Sequence, residues 1–298
     1  RECRRWVEAA VKRVDAERHP DVAIRLMSAH IQLLTGPERL PAARQAIPVL
    51  ERIGDRRALL DVYWSISNEL AQSGAFVEGE KSIARVFELA DDLGWQRSGA
   101  YIALLQLRCL MRCYAGRFDE ARIDLAKSIA LKDTIGEKDA TTRLRSQAYL
   151  EFVDGNVQNA EELLENGTTL AIVTVIGLDE LAATRLVLGK IDAAEAAART
   201  ALQLGRFDEP RDTLGPIQHL ATVAALRGRP RGAARLLGFV NAKFPEVQRV
   251  RSHYQRAGYD ILAASLRDQL SKETIESLAA DGALLDLDRA ADEALSLG

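Results

Sequence analysis

The sequence predicts an all-α protein, built as a right-handed superhelical solenoid of antiparallel helix pairs. Three observations carry that expectation. A short phrase recurs five times: a glycine, one residue, usually a bulky apolar residue, two more residues, then usually alanine. It reads Gly74-Ala-Phe76-Val-Glu-Gly79, Gly116-Arg-Phe118-Asp-Glu-Ala121, Gly155-Asn-Val157-Gln-Asn-Ala160, Gly189-Lys-Ile191-Asp-Ala-Ala194 and Gly228-Arg-Pro230-Arg-Gly-Ala233. Its glycines stand 42, 39, 34 and 39 residues apart, and a period of that size marks helical arrays whose units bury their apolar faces against one another. Composition agrees, since aromatics make up only 5% of a chain that is 47% hydrophobic. Close-packed helices use such an Ala- and Leu-rich mixture, whereas sheets favour β-branched and aromatic side chains.

In chain order, residues 1–17, 21–35 and 39–53 carry helical patterns, with Gly36-Pro37 as punctuation. Pro41 suits an early helical position, while Pro48 is expected to end or kink the third segment. This region reads as one degenerate repeat preceded by the second helix of another. The first helices of the five pairs are then predicted at 57–73, 98–115, 139–154, 177–188 and 212–227, and the second helices follow each glycine. Each glycine should end a helix, because it accepts the left-handed conformation common at helix stops. Seven residues before each glycine stand the small residues Ser67, Cys109, Ala148, Ala182 and Ala221; eleven before it stand Tyr63, Leu105, Leu144, Leu178 and Ile217. Nine residues after it stand Ile83, Leu125, Leu164, Ala198 and Leu237. Small residues let paired helices approach, and the larger ones fill the space between pairs.

The segment Thr168-Thr-Leu-Ala-Ile-Val-Thr-Val-Ile176 is β-branched enough for a strand, but its place between repeat helices favours helix. After Phe244-Pro245 the phrase is absent, and helices are predicted near 246–269, 272–281 and 286–296 as a terminal cap. The predicted organisation is therefore degenerate repeats over 1–56, five repeats over 57–243 and capping helices over 244–298.

Small, Gly, aromatic and Ala residues at these offsets resemble the tetratricopeptide repeat, over roughly residues 57–243. The periods exceed the usual length in three of four cases, and the closing proline is mostly missing. The opening Arg4-Arg5-Trp6-Val-Glu-Ala-Ala and the closing Ala233-Ala-Arg-Leu-Leu-Gly238 look like the C-terminal arms of large bacterial signal-transduction ATPases, transcription regulators or adenylate cyclases. That resemblance implies a sensor arm working with an upstream ATPase module. It assigns no ATPase or DNA-binding chemistry to any residue here.

Net charge is −3 with both signs interspersed, so this is not the basic surface that nucleic-acid binding calls for. Three cysteines in a chain of this size point to a reducing, cytoplasmic setting rather than a disulfide scaffold. No apolar run approaches the ~18 residues of a membrane span. With no initiating Met and no signal-peptide pattern, the chain reads as a piece of a larger polypeptide.

Sites with chemistry fail one by one. Gly74-Ala-Phe-Val-Glu-Gly79-Glu80-Lys81-Ser82 resembles a P-loop, but Glu80 separates Gly79 from Lys81, and a helix rather than a strand precedes it. Cys109 and Cys113 share a helix face, yet a closed zinc site needs four ligands, and Cys109 occupies the small-residue position. His19, His30, His219 and His253 are scattered, without metal-site or catalytic spacing. Asp119-Glu120 and Asp91-Asp92 sit near helix ends as solvated charge. No enzyme and no cofactor are expected.

What is left is the inner groove that the first helices would line. Positions ten before each glycine are Trp64, Gln106, Arg145, Asp179 and Gln218; positions six before it are Asn68, Leu110, Tyr149, Ala183 and Thr222. Tyr114 and Phe152 lie beside this stripe. Aromatic anchors supply contact area, and Arg and amides fix orientation, as a groove for a protein, peptide or small-molecule effector requires. The competing expectations are a structural spacer or self-association module forming a homo-oligomer, and an RNA-binding repeat, which only Arg145 at the key offset would serve.

Overall fold

The computed structural model describes residues 2–34, 38–135, 141–170, 175–205, 210–246 and 250–297, and among them there are helices and no strands. None of these helices is long and apolar enough to cross a membrane. The chain forms two compact units, Arg1–Lys138 and Asp139–Gly298, so the division falls inside the run of five phrases.

The first unit holds α1 (Glu2–Arg13), α2 (Pro20–Leu33), α3 (Arg39–Ile53), α4 (Arg56–Ser73), α5 (Phe76–Asp92), α6 (Gly99–Tyr114) and α7 (Phe118–Ile135). Neighbours in sequence pack as hairpins, and α2, α4 and α6 also touch side by side. The second unit holds α8 (Thr141–Val153), α9 (Val157–Leu170), α10 (Val175–Val187), α11 (Ile191–Gly205), α12 (Leu214–Leu226), α13 (Pro230–Glu246), α14 (His253–Gln269), α15 (Lys272–Ala283) and α16 (Leu287–Leu297). Here α8–α13 form three hairpins, α14 lies on α10 and α12, and α15 and α16 cover α13.

The glycine phrase is the turn of every predicted pair. Gly74, Gly116, Gly155, Gly189 and Gly228 have φ between 71 and 85°. The next residue's N–H reaches back five residues: Ala75 to Leu70 (3.0 Å), Arg117 to Arg112 (2.8 Å), Asn156 to Glu151 (2.9 Å), Lys190 to Arg185 (2.9 Å) and Arg229 to Ala224 (2.8 Å). This is the Schellman termination, which satisfies helix carbonyls that would otherwise lack donors. Gly54 makes the same turn between α3 and α4 (φ 80°), although the full phrase does not follow it. The small residues Ser67, Cys109, Ala148, Ala182 and Ala221 are fully buried, as are the phrase alanines Ala121, Ala160, Ala194 and Ala233. Such positions hold paired helices too close for larger side chains.

A second offset recurs in both units. Glu80, Glu161 and Glu195 all stand six residues after a phrase glycine. Each is tied to an arginine of the next hairpin: Glu80 to Arg112 (3.2 Å), Glu161 to Arg185 (3.3 Å) and Glu195 to Arg227 (2.5 Å). Burial works to raise the pKa of Glu161, but hydrogen bonds from Lys190 and Arg185 outweigh it and hold the carboxyl low. Glu195 shows the same balance between burial and its bonds to Arg199 and Arg227.

Two helix ends differ from those expected, since Pro48 does not end the third helix and the helix after Pro245 starts later. Helix α3 runs unbroken past Pro48 to Ile53. Pro48 and Arg44 are both exposed, so the Arg44 carbonyl that loses its helical donor can turn to water. The helix expected from 246 begins at His253, because Ser252 and Gln255 form a capping box there. Within the β-branched segment, residues 168–170 continue α9 and 175–176 open α10; residues 171–174 lie outside the described residues.

Candidate functional site

The predicted inner stripe divides into two different environments. In the second unit its residues are engaged by α14. Tyr149 is fully buried. Its hydroxyl lies 3.0 Å from His253 Nδ1 and accepts the His253 main-chain N–H at 3.2 Å. Tyr254 stands edge-on to Tyr149 with ring centroids 5.0 Å apart, and Phe152 packs on Tyr254 at 4.3 Å. Asp179 Oδ2 accepts a hydrogen bond from Gln255 Nε2 (3.0 Å), and Asp179 Oδ1 is 3.1 Å from His219 Nε2. Gln218 uses both ends of its amide: Nε2 donates to the Gln255 carbonyl (2.6 Å), and Oε1 accepts from Arg251 Nε (2.9 Å). Thr222 bonds back to the Gln218 carbonyl (2.9 Å) and reaches the Gly258 carbonyl (3.3 Å). Gly258 is small because a Cβ there would come within 2.8 Å of His219 Nδ1.

Arg145 points to a neighbouring helix instead, making two 2.7 Å hydrogen bonds to the Glu180 carboxylate. Glu180 is buried, and desolvation raises its pKa even against the opposing charge of Arg145. Arg251, just before α14, stacks over Phe244 and Tyr259, each ring centroid 4.5 Å away, and donates to Asn241 Oδ1 at 2.6 Å. Burial, seconded by Arg256, lowers its pKa. The same two causes lower the pKa of His253.

Among the described residues of the first unit, α4 packs on α2, α3, α5 and α6, and α6 on α4, α5, α7 and the turn Trp95–Arg97, with no helix seated on the stripe as α14 is. Trp64, Asn68 and Tyr114 are half-buried, with Trp64 and Tyr114 against the unit's core, while Gln106 and Leu110 are buried. Gln72 Nε2 donates to Asn68 Oδ1 at 3.4 Å. The charged residues of the same helices lie on other sides and are paired: Glu69 with Arg39, and Arg108 and Arg112 with Asp124. The stripe here is aromatic and amide in character, without charge.

Sequence reasoning missed Glu180, Gln255, Arg251 and the roles of His219 and His253. Part of the signal was present. One position after the ten-residue offset stand Ser146, Glu180 and His219, all polar and buried in the second unit, where the first unit has the half-buried Ser65 and Leu107. The partners contributed by α14 have no repeat offset to reveal them.

The other motifs have structural roles. Glu80, the residue that spoils the P-loop likeness, is tied to Arg112 and Arg117 (2.8 Å), and Ser82 Oγ donates to the Tyr63 carbonyl at 3.0 Å. Gly79 takes the phrase's alanine position, where a Cβ would lie 2.9 Å from the Met111 methyl. Cys109 and Cys113 are buried, Cys3 is exposed, and no three metal-ligating side chains gather among the described residues. In comparison with known proteins, the chain matches no family model and no curated protein.

Proposed function

We propose that the chain is a helical-repeat interaction arm of the tetratricopeptide type, in a cytoplasmic signal-transduction protein, and that the α4–α6 face of the first unit is where it receives a partner. One observation carries this reading. The equivalent face of the second unit already holds a helix, through side chains at the offsets that pick out Trp64, Asn68, Gln106 and Leu110 in the first. The repeat thus offers side chains able to seat a helical segment. In the first unit Trp64 and Asn68 stay part-exposed beside the buried Gln106 and Leu110, and among the described residues of that unit no helix is seated on them as α14 is in the second. The partner face is narrower than the whole stripe: Arg145, Tyr149, Asp179 and Gln218 are occupied within the chain.

The uncharged character of the first-unit face supports a protein or peptide with an apolar and amide-bearing side over a phosphate backbone, which would need cations there. A photo-crosslinking amino acid at Asn68, compared with one at exposed Val77 on α5, tests the reading in cells. Adducts at Asn68 that disappear with Trp64→Ala/Tyr114→Ala, and none at Val77, are expected. Equal adducts at both positions, or none, would overturn it. An adduct of twice the chain mass would favour self-association instead.

A further inference from the structure

The entry of α14 onto its seat rests on a histidine. Tyr149 provides one hydroxyl to two groups of His253, accepting its main-chain N–H and meeting Nδ1 at 3.0 Å. A neutral ring with its proton on Nε2 satisfies both, because the hydroxyl then donates to Nδ1. A proton on Nδ1 removes that acceptor. We propose that the first turn of α14 is an acid-released latch, seated on Tyr149 while His253 is neutral and lifted when the imidazole takes up a proton.

The surroundings favour the neutral ring. His253 is the first residue of α14, where the helix dipole opposes positive charge. Around this turn, the chain before α14 contributes Arg251 and α14 itself Arg256, both cationic; the charge of Arg256 adds to burial in lowering the pKa of His253. Among the described residues, Glu180 of α10 is paired with Arg145 of α8, and Asp179 accepts from Gln255 through Oδ2. His219 of α12 lies beneath Gly258, one turn further along. The far half of α14 is held differently, by Leu262 and Leu266 in the apolar core and by Gln269 on the Ala225 carbonyl (2.9 Å). The opening is therefore local, and it uncovers Asp179, Gln218 and Thr222 while the rest of the helix stays seated.

The sign follows from linkage. The seated turn holds His253 below the ordinary histidine pKa of about 6.5, so it binds fewer protons than the lifted turn. Seating is complete above that pH and weakens as pH falls from there to the pKa of the seated form, below which nothing more is lost. Within that window opening rises by up to about tenfold per pH unit.

Amide exchange of residues 253–256 in the full chain, corrected for intrinsic rates, reads the opening at pH 7.5 and pH 5.5. Wild type should lose protection by several-fold on acidification, while residues 262–269 keep theirs. His253→Asn places a non-titrating oxygen near the Nδ1 position and should abolish the pH dependence; His219→Gln should leave it intact. A flat wild-type profile, an unchanged profile in His253→Asn, or its loss in His219→Gln would each overturn the latch. Because a variant can fail to fold, the His253 ring proton is also titrated by NMR in wild type and Tyr149→Phe. A titration point below about 6.5 that moves up in Tyr149→Phe supports the latch, and one that stays at the ordinary value overturns it.

Discussion

The carboxylate of Asp179 on α10 lies against the main chain of Gly215 on α12, so close that a methyl group there would overlap both of its oxygens. The contact lets Asp179 face Gln255 and His219 at once, and it explains a glycine inside a helix at a position with no turn to make.

Gly215→Ala should therefore destabilise the protein, although alanine is the better helix former. Overpacking of this kind costs about 1–3 kcal/mol, against a propensity gain of about 1 kcal/mol. Urea denaturation followed by circular dichroism measures it. A variant as stable as wild type would mean that Asp179 can move aside.

Arg145→Met should be among the most damaging single changes on the stripe. It strands the buried Glu180 carboxylate, and breaking a buried pair from one side costs about 3–5 kcal/mol. Arg145→Met/Glu180→Leu should recover most of that loss, because it removes the uncompensated charge as well. If the single variant keeps its stability and loses only partner binding, Arg145 belongs to the interaction face after all.

The ties between hairpins should fail in acid. Glu161 and Glu195 are held below the ordinary glutamate pKa of about 4.3, so the folded chain binds fewer protons than the unfolded one there. Their contribution is present above that value and is lost as pH falls through the lower, folded pKa. Glu161→Gln should lower stability at pH 7 and flatten the acid limb of a stability-against-pH curve. An unchanged acid limb would remove Glu161 from the account.

Thiol labelling gives a simple test of the packing. Cys3 is exposed, whereas Cys109 and Cys113 are buried in α6. One equivalent of Ellman's reagent should react promptly with the native protein and three with the unfolded protein. Two or three fast thiols in the native state would contradict the close approach of α6 and α7.

The legibility of this protein follows the range of the forces involved. The helix pairs could be read because their turns are local: a glycine at positive φ and a hydrogen bond across six residues need nothing from elsewhere in the chain. Ser67, Cys109 and Ala182 were readable as helix-contact residues because a repeated offset reports a repeated contact. That Pro48 does not end its helix could not be read locally, because the freed carbonyl must reach water, which is a matter of exposure. Trp64, Arg145 and Tyr149 looked alike on the stripe, yet one is half-buried against the first unit's core, one is locked to Glu180, and one is sealed under α14.

By itself the sequence determined that this is a helical protein, where its hairpins turn, and which small residues let paired helices meet. Only the tertiary structure decided that α14 lies over half of the stripe. The bonds that place it, Gln255 to Asp179 and His253 to Tyr149, join residues 76 and 104 positions apart. Contacts of that range arise from the packing of whole helices, and no local periodicity encodes them.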